Sequence, residues 1–432
     1  MPRRDATAAV DNPPATIHAL ETQMTTPSPA TDTRPTDGVL RDVAEAGRRD
    51  ALLPAPQVQN HAANLTVLPD GSLGCVWFAG TQEGVPDISV WFSRLAPGVG
   101  AWSGPVQLSD DPTRSEQNPV LHVTKTGAVW LLWTSQHAGN QDTARVMRRI
   151  SADGGRTWGE AHILLPETDA GGVFVRQPVI ALPTGRLLLP VFHCVRIEGR
   201  KWVGDRDYSS VMISDDHGDS WREVVVPGSV GCVHMNIGRL ADGTLVALYR
   251  SRWADSIYRS TSGDDGDTWT EPEATELPNN NSSIQFVVLP DDRLALVFNE
   301  SSAANATARR TSLYDEIDDD GLADSVPEPA AAEPEPLDDG DSRSAFWGAP
   351  RAPMTLAMSE DGGRTWPHRR DIEVGDGYCL SNNSRDGLNR EYSYPSITAG
   401  NDGHLHVAFT RFRQAIEYVE LEAGWIADGG RS

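Results

Sequence analysis

Short apolar runs punctuated by tight-turn residues fill this chain from Asn64 to about Glu420. Asn64 to Leu68 and Leu73 to Phe78 flank Asp70-Gly71, and Val179 to Leu182 and Arg186 to Phe192 flank Thr184-Gly185. The arrangement recurs at Thr126-Gly127, Asp242-Gly243, Asp291-Asp292 and Asp402-Gly403. Such a dipeptide between apolar segments of strand length marks a hairpin, because glycine accepts a positive φ and aspartate bonds its own backbone. The pattern predicts six hairpins in an all-β chain.

A second pattern runs in phase with the first. Ser-x-Asp-x-Gly-x-x-Trp occurs at Ser151 to Trp158, Ser214 to Trp221, Ser262 to Trp269 and Ser359 to Trp366, with a degenerate copy over Ser93 to Trp102. Internal repeats at a spacing of roughly 40–60 residues indicate a propeller or another repeat array. Together the patterns predict a six-bladed β-propeller with four strands per blade; seven blades is the alternative count. Each box should form the turn between third and fourth strands, with Asp bonding backbone amides, Gly supplying the turn and Trp packing between sheets. A calcium role is set aside, because one obligatory carboxylate per box falls short of a shell of about six to eight oxygens. Little chain remains after Glu420, so the last blade should close with a strand from near the N-terminus.

Composition adds limits. The chain has 432 residues and a formal net charge of -24. Twelve acids and no Lys or Arg lie between Asp315 and Ser342, and this stretch reads as a disordered acidic insert in blade five. Residues 1–37, rich in Pro, Thr and Ala, read as a disordered tail, leaving 38–432 as a single propeller domain. Acidity argues against nucleic acid and anionic membrane as partners. Arg3-Arg4 is followed by no apolar segment, and no run approaches about 18 apolar residues, so a cytoplasmic protein is expected. The cysteines Cys75, Cys194, Cys232 and Cys379 are too scattered for a metal motif and read as buried thiols. No cofactor or metal site is expected; His404 and His406 read as a surface feature.

Polar residues collect where the chain should reach one face near the axis. Asn60-His61-Ala62-Ala63-Asn64, Arg114 to Asn118, Arg176-Gln177, His234-Met235-Asn236, Asn279 to Ser282 and Asn389 to Tyr394 precede the expected inner strands. Gln82-Glu83, Gln136 to Asp142, His193, Arg250-Ser251-Arg252 and Arg411 to Gln414 follow the expected second strands. A convergent polar patch at a propeller mouth is the default binding site. The candidate chemistry rests on His61, His234 and Tyr394. The candidate binding residues are Arg114, Gln117, Asn118, Arg176, Gln177, Asn236, Arg250, Arg252, Asn281 and Arg390. Clustered Arg calls for an anionic complement, since guanidinium forks grip carboxylates. For each single side chain the rival reading is a loop cap or a packed residue.

The boxes and the Arg-lined face resemble the sialidase superfamily of Asp-box propellers over roughly Val58 to Glu420. Gln59 to Asn64, Ser115 to Pro119 and Asn279 to Ser283 are similar to the bacterial and fungal sialidase-like branch, and within it to lyases that cut rhamnose from glucuronate. The resemblance implies a carbohydrate-active enzyme acting at a carboxylate-bearing sugar of an acidic oligosaccharide or polysaccharide. Tyr394 matches the nucleophile of true sialidases, and Arg176 with Arg250 or Arg252 matches part of their carboxylate clamp. Where sialidases carry Arg-Ile-Pro at the first inner strand, this chain has Asn60-His61-Ala62-Ala63-Asn64, which turns the expectation toward β-elimination at a uronate. In that reading His61 is the base, His234 or Tyr394 the acid, and the Arg cluster the clamp. The alternatives are an exo-sialidase using Tyr394 and a non-catalytic glycan-binding propeller. Oligomeric state is not legible.

Overall fold

The computed structural model describes residues 33–318, 321–322 and 343–427. The expected tail up to residue 32 and most of the expected acidic insert, 319–320 and 323–342, lie outside the described residues. Six antiparallel sheets follow one another along the chain as blades of a propeller. Blade 1 comprises Gln59–Val67, Leu73–Gly80, Ser89–Leu95 and Val106–Gln107. Blade 2 comprises Ser115–Val123, Val129–His137, Asn140–Ser151 and His162–Leu165. In blade 3 the inner strand is split into Gly171–Val175 and Ile180–Ala181, both paired with Leu187–Val195, and Tyr208–Ser214 and Arg222–Val225 complete the sheet. Blade 4 runs Cys232–Arg239, Leu245–Ser251, Ser256–Ser262 and Glu273–Pro278, and blade 5 runs Gln285–Val288, Leu294–Asn299, Met354–Ser359 and His368–Glu373.

Blade 6 closes the ring. Tyr392–Ala399, Leu405–Arg411 and Ala415–Leu421 are joined by Arg48–Leu52 from the other end of the chain. Closure ties both ends of the domain into one sheet and leaves no blade without its outer strand. Among the described residues no helix is long and apolar enough to cross a membrane.

The turn chemistry expected from sequence is present at every blade. Gly71, Gly127, Gly185, Gly243 and Gly403 take φ between 80° and 97°, and in blade 5 Asp292 takes the same role at 65°. The boxes join third to fourth strands. In the first, Ser151 Oγ accepts from Gly155 N at 2.7 Å, while Asp153 takes Thr157 N at 2.8 Å and Thr157 Oγ1 at 2.6 Å. The other three repeat these bonds around Asp216, Asp264 and Asp361.

The core lies in the seams between blades, and each seam receives a tryptophan from a turn. Trp158, Trp221, Trp269 and Trp366 come from the boxes and Trp102 from the degenerate copy. The seam between blades 5 and 6 takes Trp425, from the turn after Ala415–Leu421. A large flat ring buries much apolar area at fixed sheet separation, which suits a wedge between twisted blades. Side chains also stitch inner strands together: Asn64 accepts from Leu121 N, Asn236 from Phe286 N, Gln285 from Ile397 N and Ser396 from Leu65 N.

Candidate active site

Inner strands begin further upstream than the apolar pattern suggests. His61, Asn118, His234 and Tyr394 lie inside these strands, not in loops before them, at a bulge that four blades share. Four residues of the inner strand oppose three of its partner, as His61 to Asn64 oppose Phe78 to Val76. The extra residue breaks the two-residue alternation, so the apolar pattern resumes only past the bulge. Its backbone is left-handed, with φ of 61° at Ala62, 50° at Asn118, 54° at His234 and 52° at Tyr394; Asn281 of blade 5 matches at 55°. This conformation disfavours residues other than glycine and asparagine, and such strain concentrates at functional sites.

Tyr394 is the centre of the mouth. Its ring lies 4.4 Å from that of His61 and 5.7 Å from that of His234, centroid to centroid. The guanidinium carbons of Arg176, Arg250 and Arg351 stand 5.4 Å, 5.6 Å and 5.6 Å from the same ring. Arg250 donates to Tyr394 Oη at 2.6 Å and to Asn281 Oδ1 at 2.8 Å. Arg176 spans the axis, giving Nη2 to the carbonyls of Ala63, Tyr394 and Pro395 and Nε to Ser283. Each has one nitrogen left over: Arg176 Nη1 and Arg250 Nη2 are buried without a partner.

Charge balance separates these two from the other buried arginines. Arg252, expected in the clamp, is spent on Asp207 at 2.6 Å and stacks among Phe192, Trp202 and Trp347. Arg351 and Arg413 share Glu391, and Arg413 also takes Glu83. Burial alone would lower the Arg413 guanidinium, but Glu391 and Glu83 outweigh it and raise it. Among the described residues Arg176 and Arg250 have no carboxylate partner, and burial lowers both to about 10. Two buried, uncompensated cations call for an anion.

Both histidines are held neutral. Burial, then the charges of Arg413, Arg351, Arg176 and Arg250, push His61 well below the usual imidazole range, and burial with Arg250 foremost among the charges does the same to His234. Arg250 Nη1 lies 3.3 Å from His234 Nε2. Guanidinium only donates, so Nε2 must accept and the proton of neutral His234 sits on Nδ1. That Nδ1 is buried without a partner, as is His61 Nε2, while His61 Nδ1 meets Thr410 Oγ1 at 2.7 Å.

Other expected residues stand elsewhere. Arg114 binds the carbonyls of Ser135 and Thr143 beside His137, and Arg390 binds Asp376 on the surface, so neither reaches the centre. Gln177 bridges Ile284 and Gln285, and Asn236 is one of the inter-blade stitches, so both are engaged in the ring itself. Asn281 positions Arg250 and also donates to Phe346 O. Asn118 lies on the blade 2 bulge, with Oδ1 buried and unpartnered. Gln117 faces Tyr314. Two groupings could hold a cation, Asp402, His404 and Glu420 near the hairpin face and Asp50, Glu373 and Glu417 on outer strands. The second is already paired with Arg48, Arg34 and Arg411.

Sequence reasoning missed Asp207, Arg351 and the insert. Asp315 to Ile317, assigned to the acidic disordered stretch, pack into the mouth: Glu316 accepts from Asn382 N and Gln82 Nε2. Tyr314, Ile317, Ala345 and Trp347 join Tyr394 and Trp202 in one buried cluster over the site. The available signal was the apolar pairs Leu313-Tyr314 and Phe346-Trp347 bracketing the acidic run.

Residues 71–407 match the BNR repeat-like domain family. A segment of 122 residues, 24% of this chain, is 32% identical to Sialidase-4 of Homo sapiens, and the chain spans about a quarter of that relative. Among solved structures, the Hadza microbial sialidase Hz136 superposes with a TM-score of 0.62 at 15% identity, covering 86% of this chain and 67% of that one. A protein of unknown function from Dyadobacter fermentans gives 0.61 at 16% identity, covering 87% and 99%. The leech intramolecular trans-sialidase complexed with 2,7-anhydro-Neu5Ac gives 0.60 at 14% identity, covering 87% and 69%. At these identities the likeness establishes the fold. With the family match across most of its length, the chain belongs to the BNR repeat-like domain family, and it is a six-bladed propeller with the fold of these sialidase structures.

Proposed function

We propose that this protein cleaves a glycosidic bond at a carboxylate-bearing sugar by β-elimination at a uronate, as in the rhamnosyl-glucuronate lyases it resembles. The carrying observation is the pair Arg176 and Arg250, buried without carboxylate partners among the described residues and beside two neutral histidines. In this reading their spare nitrogens and His234 Nδ1–H hold the uronate carboxylate and the enolate charge that develops on it. With its Nδ1 proton donated to Thr410, His61 presents a lone pair on Nε2 and takes the proton from the carbon beside the carboxylate. The electron pair forms the new double bond, and the bond to the leaving oxygen breaks. Tyr394 gives that oxygen a proton, and Arg250 offsets the charge left on the phenolic oxygen. His234 is the poorer acid of the two candidates, because a neutral imidazole that donates a proton becomes an anion.

A second reading, an exo-sialidase with Tyr394 as nucleophile, draws on the three guanidiniums around its ring. Against it, the only hydrogen-bond partner of Tyr394 Oη among the described residues is Arg250, so no carboxylate stands ready to take the phenol proton. Mass spectrometry on a glucuronate-containing glycan separates the readings. Elimination gives a product one water lighter than hydrolysis, with new ultraviolet absorbance. Turnover at the hydrolytic mass without that absorbance overturns elimination. Release of a fluorogenic aglycone from a sialoside, abolished in Tyr394→Phe, would establish the second reading. Glycan binding without turnover would make the propeller a binding module.

A further inference from the structure

The mouth is covered by a connection between Leu294–Asn299 and Met354–Ser359 of blade 5. Phe346 N donates to Arg252 O, Ala345 N to Asp205 Oδ1, Trp347 Nε1 to Val203 O, and Lys201 Nζ to the carbonyls of Tyr314 and Ile317. At its tip Tyr314, 1% exposed, points its hydroxyl into blade 2. Gln136 Nε2 and Gln141 Nε2 donate to it at 3.1 Å and 3.0 Å, and both Nε2 and Oε1 of Gln117 lie 3.5 Å away.

Accepting from Gln136 and Gln141 and turning its own proton toward Gln117 Oε1, the Tyr314 hydroxyl occupies the place where the three amides converge. Gln136 Oε1 and the neighbouring Asn118 Oδ1 remain buried without a donor. An amide offers a donor and an acceptor side by side, the complement of adjacent hydroxyls on a sugar ring. The spare acceptors are what a second hydroxyl would satisfy. A chain of ring contacts links this place to the centre: Tyr314 packs on Trp202 at 6.4 Å, Trp202 on Trp347 at 5.9 Å, and Trp347 lies 5.6 Å from the Arg250 guanidinium.

We propose that Gln117, Gln136 and Gln141 form a subsite for the vicinal hydroxyls of the neutral sugar flanking the uronate, and that Tyr314 occupies it as an internal surrogate which substrate displaces. The identity of the flanking residue rests on the functional reading above; the hydroxyl chemistry of the triad does not. A binding-competent state that is only partly populated weakens apparent affinity by its population, so removing the surrogate should tighten binding.

Calorimetry on the full chain carrying His61→Gln, to prevent turnover, tests this with rhamnosyl-glucuronate disaccharide, D-glucuronic acid and L-rhamnose as probes. Adding Tyr314→Ala should tighten the disaccharide by ~10-fold and change D-glucuronic acid by less than about twofold, and adding Gln136→Ala should abolish the gain. L-rhamnose should bind measurably only in the Tyr314→Ala protein. Disaccharide affinity that is unchanged or weaker in Tyr314→Ala overturns the subsite. Rhamnose bound without D-glucuronic acid overturns the carboxylate reading and leaves the subsite standing. Should Tyr314→Ala not fold, Tyr314→Phe keeps the ring and removes only the hydroxyl. Its amides at 310–317 and 345–347 should exchange deuterium ~10-fold faster, and unchanged exchange would overturn the proposal.

Discussion

On the hairpin face, Asp153, Asp216, Asp264 and Asp361 use their carboxylates on the turns that contain them, in the same geometry each time. At the mouth the residues that take the shared left-handed φ vary from blade to blade: Ala62, His234 and Tyr394 in three of them, asparagine in two others, Asn118 and Asn281. The first face repeats, its carboxylates satisfied within their own turns; the second keeps the backbone device and varies what it presents. It also leaves nitrogens of His61, His234, Arg176 and Arg250 without partners in a buried setting. Buried polar groups are normally paired, so unpaired ones gathered at one place mark where a ligand supplies the missing half. Within the mouth the contrast recurs, since Arg252, Arg351 and Arg413 have carboxylates and Arg176 and Arg250 have none among the described residues.

The largest test of this contrast is His61→Gln. Loss of the base should lower kcat/KM by ~10²–10⁴-fold, with the melting temperature little changed. Asp207→Ala attacks the paired class: it strands Arg252 in the interior and should cost about 3–5 kcal/mol in a urea melt. Arg250→Met attacks the unpaired class and should lower kcat by ~10²–10³-fold, with stability equal to or above the parent because an uncompensated cation is removed. A large stability loss in Arg250→Met would erase the distinction. On the opposite face, Asp361→Ala should cost on the order of 1 kcal/mol, through lost turn bonds, and leave kcat/KM untouched.

The two faces should also answer pH differently. The box carboxylates of Asp216 and Asp361 are lowered from 3.8 to about 2, by side-chain and backbone bonds of the turn against the opposing effect of burial. A depressed carboxylate stabilises the fold above its unfolded value, so their contribution should hold above pH 3.8 and vanish as pH falls toward 2. His61 and His234 are lowered from 6.5, so the fold favours their neutral forms and should weaken as pH falls below 6.5. Activity that depends on neutral His61 should accordingly keep its acid limb below pH 6.5. An acid limb at the ordinary imidazole value, in a pH profile of kcat/KM, would show that the ring is not shielded.

Much of this architecture could be read from local pattern. Turn dipeptides and boxes are short-range devices whose residues act on their own backbone, so Asp70-Gly71 or Ser151 to Trp158 carries its meaning without the rest of the chain. The strand that closes blade 6 was legible for a similar reason, since the sixth hairpin ran out of sequence. His61, His234 and Tyr394 were visible as polar residues beside inner strands, though their place within a bulge was not, because one extra residue erases the alternation that marks a strand.

What the sequence determined, then, is the ring: its blade count, its turns, its tryptophan wedges and the face on which odd residues gather. Tertiary structure alone decided which arginines are neutralised, because Asp207 lies far from Arg252 along the chain and Glu83 farther still from Arg413. It alone placed Tyr314 in the hands of three glutamines and set the proton of His234 on Nδ1. The division follows from range: a turn depends on neighbours a few bonds away, whereas a charge in low dielectric depends on every charge the fold brings near it.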